Sequence, residues 1–315
     1  MSRQQKHLFI IDPLEKLDKN LDTSMKLMHA LAQKSCAIFF TTMDQVYWES
    51  SKPVASCLAT GIEFDGANLH TTKSNPMSLK DFYIIHMRKD PPFDMNYIAC
   101  TWLLESASQT THVINSTWGL RKYNEKVATL YFPEYSLPTI VSSNPEYLMG
   151  FLKDTCNGDA VLKPLDLYGG RGVERVNLSS AKEAELMAKF KEQTANYNWR
   201  MMQPFQSQIK EGEVRVFTSF AEPIAWCLKV PKEGEFLANT RAGAKLLPHT
   251  PTVAELTMVK LVSKKLMDDG IYWVGFDLIG GKISEINITS PRLLCPDPKD
   301  YGPCFDKMAQ QIIRI

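Results

Sequence analysis

The segment Gly275–Asn287 holds the residues best spaced to do chemistry. It reads as two alternating strands around Gly280-Gly281-Lys282. Glu285 and Asn287 lie two apart, so on a strand they face the same way. If the loop is the three residues Gly280-Gly281-Lys282, Ile279 pairs with Ile283 and Asp277 sits opposite Glu285. Asp277, Glu285 and Asn287 then converge on one face, with Phe276, Leu278 and Ile286 on the other. Two carboxylates and an amide offer oxygen ligands that suit a hard divalent cation such as Mg²⁺, shared with phosphate oxygens. A two-residue turn would shift the register and throw Asp277 to the opposite face. The competing reading is a solvated antiparallel hairpin with its polar residues outward.

Lys163 ends the apolar strand Val161-Leu162 and precedes Pro164. A lysine held this way reaches phosphate as a fixed point charge, or it snorkels from a strand end. Gly169-Gly170 with Gly172 lets backbone N–H groups approach an anion. The same glycines suit a plain hairpin turn, and they match neither GxxxxGK[ST] nor GxGxxG. Lys126, after Asn124-Glu125, is by itself an ordinary surface lysine. Glu213 and Arg215 share a strand face. A carboxylate there can accept hydrogen bonds from ribose hydroxyls, and the guanidinium can fork onto a carboxylate or phosphate. Otherwise they form a surface pair worth about 0–1 kcal/mol.

The elements that position these residues alternate. A strand over Leu8–Ile11 precedes a helix capped by Asp22 or Thr23, with Met25, Met28, Leu31 and Ala32 as its buried stripe. Cys36–Phe40 is a second strand, and strand–helix–strand begins a parallel α/β layer. A hairpin over Val54–His70, a strand over Tyr83–Met87, a helix over Asn96–Ser106 and a strand over Val113–Asn115 follow. The texture changes near Arg121, which divides the chain into domains of residues 1–122 and 123–315. The second splits into lobes of about 123–199 and 200–315. Strands are expected over Ala160–Lys163, Val173–Leu178, Trp199–Phe205, Val214–Phe220 and Pro223–Val230. Helices are expected over Ala181–Gln193 and Thr252–Asp269. Lys232–Pro248 reads as a mobile loop, and the tail from Pro291 as proline-rich without pattern.

The whole chain has 315 residues, 44% hydrophobic and 23% charged, with a net charge of +1. This is an ordinary globular composition with room for a large core. The balanced charge gives no sequence-wide field for nucleic acid or anionic lipid. Seven cysteines without a CxxC pair argue against a zinc ribbon and for a reducing compartment. No apolar stretch approaches the ~18 residues of a membrane span. A cytoplasmic protein is expected.

Taken in order, these pieces resemble the bacterial glutathione synthetase family of the ATP-grasp superfamily. Met87-Arg88-Lys89-Asp90-Pro91-Pro92-Phe93-Asp94 is similar to its N-domain signature, and Asn124-Glu125-Lys126 to its first ATP-lysine motif. Leu162-Lys163-Pro164-Leu165-Asp166 with Gly169-Gly170 resembles its second lysine and glycine lid. Val274-Gly275-Phe276-Asp277 and Glu285-Ile286-Asn287-Ile288-Thr289-Ser290-Pro291 resemble its metal hairpin. The resemblance implies an N-terminal parallel α/β domain followed by an ATP-grasp domain whose two lobes grip ATP. It implies that Lys126 and Lys163 hold ATP phosphates beside Gly169 and Gly170. Gln203, Pro204 and Phe205 would line the adenine pocket, partly through backbone, and Glu213 would bind ribose. Asp277, Glu285 and Asn287 would hold Mg²⁺ or Mn²⁺. Arg88 and Arg215 would orient the peptide substrate and the acyl phosphate, with Asn239 and Arg241 also at the substrate.

The implied reaction phosphorylates the glycyl-accepting carboxylate of γ-glutamylcysteine, and glycine's amine then displaces phosphate. Such chemistry needs positioned reactants and neutralised charge rather than a protein nucleophile. The resemblance also implies a homo-oligomer. The chain departs from the family pattern at Leu237, where an arginine is usual, at Gly243-Ala244, where paired glycines are usual, and in Arg292-Leu293-Leu294-Cys295-Pro296. Arg241, Lys245 or Arg292 would then supply the missing charge. These departures leave room for a ligase with another carboxylate–amine pair.

Overall fold

The computed structural model describes residues 4–18, 22–66, 68–240 and 243–315. The N-terminal sheet comprises β1 (Lys6–Ile10), β2 (Ala37–Thr41), β3 (Val46–Tyr47), β4 (Ser56–Asp65), β5 (Asn68–Thr71), β6 (Asn75–Ser78), β7 (Ile84–Met87) and β8 (His112–Ile114). Its main order is β3-β4-β2-β1-β7-β8, with β5 and β6 also on β4. The central strands β2, β1, β7 and β8 run parallel. Leu8, Phe9 and Ile10 are fully buried, as a parallel strand covered on both faces requires.

Asp22 caps α1 (Thr23–Gln33) by accepting from Met25 N–H at 3.0 Å. Met25, Leu27, Met28, Ala30 and Leu31 are buried, whereas Ala32 lies at the margin. Asp94 caps α2 (Met95–Glu105), and Ser116 caps a short α3 (Thr117–Lys122) that the periodicity did not disclose.

The next lobe is a four-stranded sheet of order β11-β10-β12-β9, built from β9 (Ile140–Ser142), β10 (Asp159–Pro164), β11 (Glu174–Asn177) and β12 (Arg200–Pro204). Two helices, α4 (Pro145–Asp154) and α5 (Glu183–Gln193), cover it. Leu148, Leu152, Leu162, Phe190 and Met202 form its separate core.

The last lobe is a five-stranded sheet of order β15-β14-β13-β16-β17, from β13 (Glu213–Ser219), β14 (Glu222–Val230), β15 (Lys245–Pro248), β16 (Trp273–Ile279) and β17 (Lys282–Asn287). A capping box between Thr252 and Glu255 starts α6 (Val253–Asp268), which buries Met258, Val259, Val262 and Leu266.

Several expectations differ from the structure: the lobe division expected near 199/200 falls after β12, since Arg200–Pro204 belongs to the four-stranded sheet. The stretch read as a mobile loop ends in β15, which pairs antiparallel with β14. The tail read as patternless contains α7 (Tyr301–Ile312), whose Phe305, Met308 and Ile312 are buried in the core that also holds Met28 and Leu31 of α1.

The metal-type hairpin keeps its expected pairing by an unexpected route. The turn is two residues, not three: Ile279 pairs with Lys282 and Leu278 with Ile283. Gly280 and Gly281 have φ of 57° and 75°, the positive values a type I′ hairpin turn requires. A regular ladder would then set Glu285 opposite Phe276, on the wrong face. A bulge between Asp277 and Leu278 absorbs Ser284, so Asp277 pairs with Glu285 after all and Gly275 with Asn287.

Candidate active site

One face of the last sheet carries a row of cross-strand charges. Glu213 of β13 lies opposite Lys229 of β14, Arg215 opposite Asp277, and Asp277 opposite Glu285. The other face buries Val214, Val216, Phe276, Leu278 and Ile286 with Val259 and Leu266 of α6. The charged face forms one wall of a cavity of about 240 Å³ whose other wall is the four-stranded lobe.

Most residues singled out in the sequence line this cavity: Lys163, Gly169, Gly170, Gln203, Pro204, Phe205, Glu213, Arg215, Asn239, Asp277, Glu285 and Asn287. Lys126 is buried just behind the wall, its Nζ 3.6 Å from Glu285 Oε1 and donating to Leu167 O at 2.6 Å. Arg88 is not in the wall. It is buried beneath it, donating to Ser24 Oγ at 3.1 Å and to Pro291 O at 3.0 Å. Arg241 lies outside the described residues.

Lys163 Nζ donates to Gln203 Oε1 at 3.0 Å, and Gln203 in turn donates to Thr139 Oγ1 and Ser284 O. Burial pushes Lys163 below the ordinary lysine range. Pro204 has no N–H, and the Phe205 N–H is spent on Asp159 O at 3.0 Å. What Phe205 presents is its ring, stacked under Arg175 at 3.6 Å and edge-on to Phe236. Asn239 donates to the carbonyl of Gly169, tying the glycine loop to the segment after β14.

Lys229 was not found by sequence reasoning. Its Nζ sits 2.7 Å from Asp277 Oδ1 and 2.5 Å from Glu213 Oε2. Burial opposes its charge, but the two carboxylates outweigh burial and hold it above the ordinary value. Asp277 shows the converse: burial raises it, and Arg215 with Lys229 more than reverse that. Glu213 stays raised by burial and by Asp277. The available signal was a lone lysine in the apolar run Trp226-Cys227-Leu228-Lys229-Val230.

Glu125 is the second omission. Its Oε1 accepts from Ile288 N, Thr289 N and Thr289 Oγ1 at 3.0, 3.0 and 2.7 Å. Its carbonyl accepts from Ile286 N. This clamp fixes the end of β17 next to Lys126, and burial raises its carboxyl above the usual range.

Two features fit an anion and a divalent cation. Arg215 Nη1 faces Asp277 Oδ2 at 3.4 Å, whereas its Nε is buried and makes no hydrogen bond among the described residues. Leaving such a donor unmet costs about 1–3 kcal/mol. Gly275 makes room for that guanidinium, since a Cβ there would stand 2.6 Å from Arg215 Nη1. The carboxylates of Asp277 and Glu285 lie side by side, next to the ammonium groups of Lys229 and Lys126, and Asn287 Nδ2 donates to Asp277 Oδ2 at 3.0 Å. The carboxylate oxygens of Asp277 and Glu285 and the amide oxygen of Asn287 are ligands of the kind a hard divalent cation takes.

Comparison with known proteins agrees with this geometry. Residues 5–121 match the family model of the prokaryotic glutathione synthetase N-terminal domain, and residues 125–296 that of the prokaryotic glutathione synthetase ATP-grasp domain. The glutathione synthetase of Synechocystis sp. is 34% identical over 296 residues, covering 90% of this chain and 91% of that protein. The glutathione synthetase of Vibrio vulnificus is 31% identical over 288 residues, covering 90% and 89%. Among solved structures, D-cycloserine synthetase DcsG superposes with a TM-score of 0.65 at 14% identity, over 96% of this chain and 99% of that one. The ATP-grasp ligase PsnB, complexed with minimal precursor, Mg and ADP, gives 0.64 at 13% identity, over 99% of each chain. At such identity these two neighbours establish the fold alone, that of ATP-grasp ligases. With both of its domain models matched along the chain and its relatives covered nearly end to end, this protein belongs to the prokaryotic glutathione synthetase family.

Proposed function

We propose that this chain joins γ-glutamylcysteine and glycine to form glutathione, with ATP converted to ADP and phosphate. The observation that carries the reading is the single cavity in which Lys163, Arg215 and Lys229 face Asp277, Glu285 and Asn287, with Lys126 close behind. Lys126 and Lys163 would hold ATP phosphates, and Glu213 the ribose. Phe205 with Leu137, Val161 and Val173 offers an apolar surface for adenine. Asp277, Glu285 and Asn287 would hold Mg²⁺ or Mn²⁺. An ion held there would supply positive charge against the phosphate oxygens.

The chain's own residues do the rest. The unmet Nε of Arg215 would meet charge that develops on the acyl phosphate. Arg88 holds the Pro291 carbonyl and so sets the loop beside the peptide substrate. The hydrogen bond from Asn239 to Gly169 ties the glycine loop to the segment after β14 at the cavity, which would help exclude water from a hydrolysable acyl phosphate. In the same reading the protein is a cytoplasmic homo-oligomer. Light scattering would show a multiple of 35.7 kDa.

Phosphate release should be measured with ATP, Mg²⁺, γ-glutamylcysteine and glycine, omitting each in turn. Release that needs both substrates, with glutathione formed, establishes the reaction. Asp277→Asn and Glu285→Gln should then lower turnover at least ~100-fold with folding retained.

A second reading is favoured by Leu237, which lines the cavity and approaches a Cβ built on Gly170 to 3.3 Å. An aliphatic side chain there suits a less polar substrate than an arginine would. Folded protein that binds ATP but releases no phosphate with γ-glutamylcysteine and glycine would establish that another carboxylate–amine pair is used.

A further inference from the structure

The thiols of Cys295 and Cys304 lie 4.0 Å apart, outside the charged site. Cys295 is buried in the irregular segment after β17, and Cys304 is half-buried in the second turn of α7. The segment holding Cys295 matters because Pro291, Arg292 and Leu294, just before it, are in the cavity wall. It is pinned at two points: Arg88 donates to Pro291 O, and Leu293 N donates to Thr23 Oγ1 at 2.9 Å.

We infer that Cys295 and Cys304 form a reversible disulfide that slows use of the peptide substrate by pulling the Pro291–Leu294 wall out of place. A disulfide needs an S–S distance of about 2.0 Å, so the sulfurs must approach by about 2 Å. Phe305, Met308 and Ile312 anchor α7 in a core that Leu293 and Cys295 also enter, but Cys295 stands in a segment with no helix or strand ladder to resist a shift. The segment therefore moves toward the helix and takes Leu294 and Arg292 with it.

The oxidant is a small disulfide, R–S–S–R, of the thiol-peptide class that the proposed reaction would make in reduced form. Cys304 thiolate attacks one sulfur, the R–S–S–R bond breaks, and R–S⁻ leaves to take up a proton. Cys295 then loses its proton and attacks Cys304 Sγ, expelling the second R–S⁻. Two protein thiols and one small disulfide become one protein disulfide and two small thiols, so two electrons pass to the small molecule. The order follows from the pair itself. Cys304 is half-buried where Cys295 is buried, so a small disulfide reaches Cys304 first, and the pairing lowers Cys304 while raising Cys295.

The test treats the full chain with glutathione disulfide, removes the excess, and reads mass and kinetics. The expected mass change is the loss of two hydrogens, with a Cys295–Cys304 linked peptide after digestion. Turnover is then followed with γ-glutamyl-2-aminobutyrate, a thiol-free analogue that cannot reduce the protein. Its kcat/KM should fall by at least about tenfold, as expected for a wall displaced by ångströms. The KM for ATP should change less than about twofold, and dithiothreitol should restore the starting values. Cys304→Ser should keep its basal rate and lose the response. Cys295→Ser should stop at a mixed disulfide on Cys304. A wild-type protein that retains a mixed disulfide at Cys304, or that stays unlinked while other cysteines react, would overturn the inference. So would a linked protein with unchanged kinetics. The effect on turnover rests on the proposed ligation, but the linked peptide does not. Reduced enzyme inactive on both peptides would count against that ligation, while the mass measurement would still judge the disulfide.

Discussion

Lys229 is the residue on which the site's electrostatics turn. It is the shared counter-ion of Asp277 and Glu213, both withdrawn from water. Lys229→Met keeps the stem and removes the charge, leaving Glu213 without its counter-ion and Asp277 with Arg215 alone. The expected loss is ~3–5 kcal/mol of unfolding free energy near neutral pH, read from urea denaturation. The sign with pH follows from Asp277, whose folded value is lowered. Its contribution is present above the unfolded carboxylate value and is lost as pH falls through the folded one. The gap between wild type and variant should therefore narrow in acid; a gap that widens would refute the pairing.

Lys163 runs the other way. Its folded value is lowered by burial, so its charge costs the empty fold stability at neutral pH, and that cost disappears as pH rises toward the ordinary lysine value. Only the charged form holds phosphate. The kcat/KM for ATP should therefore fall on an alkaline limb lying below the ordinary lysine value of about 10.4. Lys163→Arg should push that limb upward. Lys163, Glu285 and Asn287 were legible because strand alternation aims them, whereas Asp277 joins them only through the bulge at Ser284. Lys229 was not legible, because its partners come from strands distant in sequence.

At the scale of elements, the hairpin shows how a single residue decides which side chains meet. The two-residue turn at Gly280-Gly281 and the bulge at Ser284 each reverse the facing of β17, and together they restore it. Two glycine substitutions separate conformation from space. At Gly281 a Cβ meets nothing within 4 Å, but φ is 75°. Gly281→Ala should cost about 1–2 kcal/mol in thermal unfolding and leave turnover near normal. At Gly275 a Cβ would collide with Arg215 Nη1. Gly275→Ala should lower kcat by at least about tenfold in a protein that still unfolds cooperatively. Equal effects on activity at both positions would mean that Arg215 is not held by this contact.

Two elements escaped the sequence for identifiable reasons. In α7, Tyr301, Phe305, Met308 and Ile312 keep helical spacing, but Pro296, Pro298 and Pro303 mask it. Pro303 falls in the first turn, where a proline costs no hydrogen bond. In β15, Pro248 closes a short strand at the sheet edge, the place where proline is tolerated.

For the whole molecule, one core spans the N-terminal sheet and the last lobe, joining Leu8, Ile10 and Met87 to Val216, Phe276 and Ile286. The four-stranded lobe has a core of its own. Asn115 fastens the two halves that share a core. Its Nδ2 donates to Trp273 O and Ile288 O at 2.9 and 2.7 Å, and its Oδ1 accepts from Tyr272 N and Trp273 N at 2.8 and 2.9 Å. Asn115→Ala strands these backbone groups, and at ~1–3 kcal/mol for each unmet group the loss should be at least ~3 kcal/mol. Denaturation should still show one transition for the shared core, at a lower midpoint. Separate transitions for the N-terminal domain and the last lobe would contradict the common core.

The character of the chemistry was local. Alternation places Glu285 and Asn287 on one face, a strand end presents Lys163, and glycines open the loop at 169–170, each within a few residues of its cause. Those relations follow from backbone geometry that any extended or turning segment obeys. Which strand lies beside which is a different kind of fact. It is settled by burying apolar faces across the whole chain, and only that packing brought Lys229 between Glu213 and Asp277, set Glu125 under β17, and laid α7 with Cys304 against the segment of Cys295.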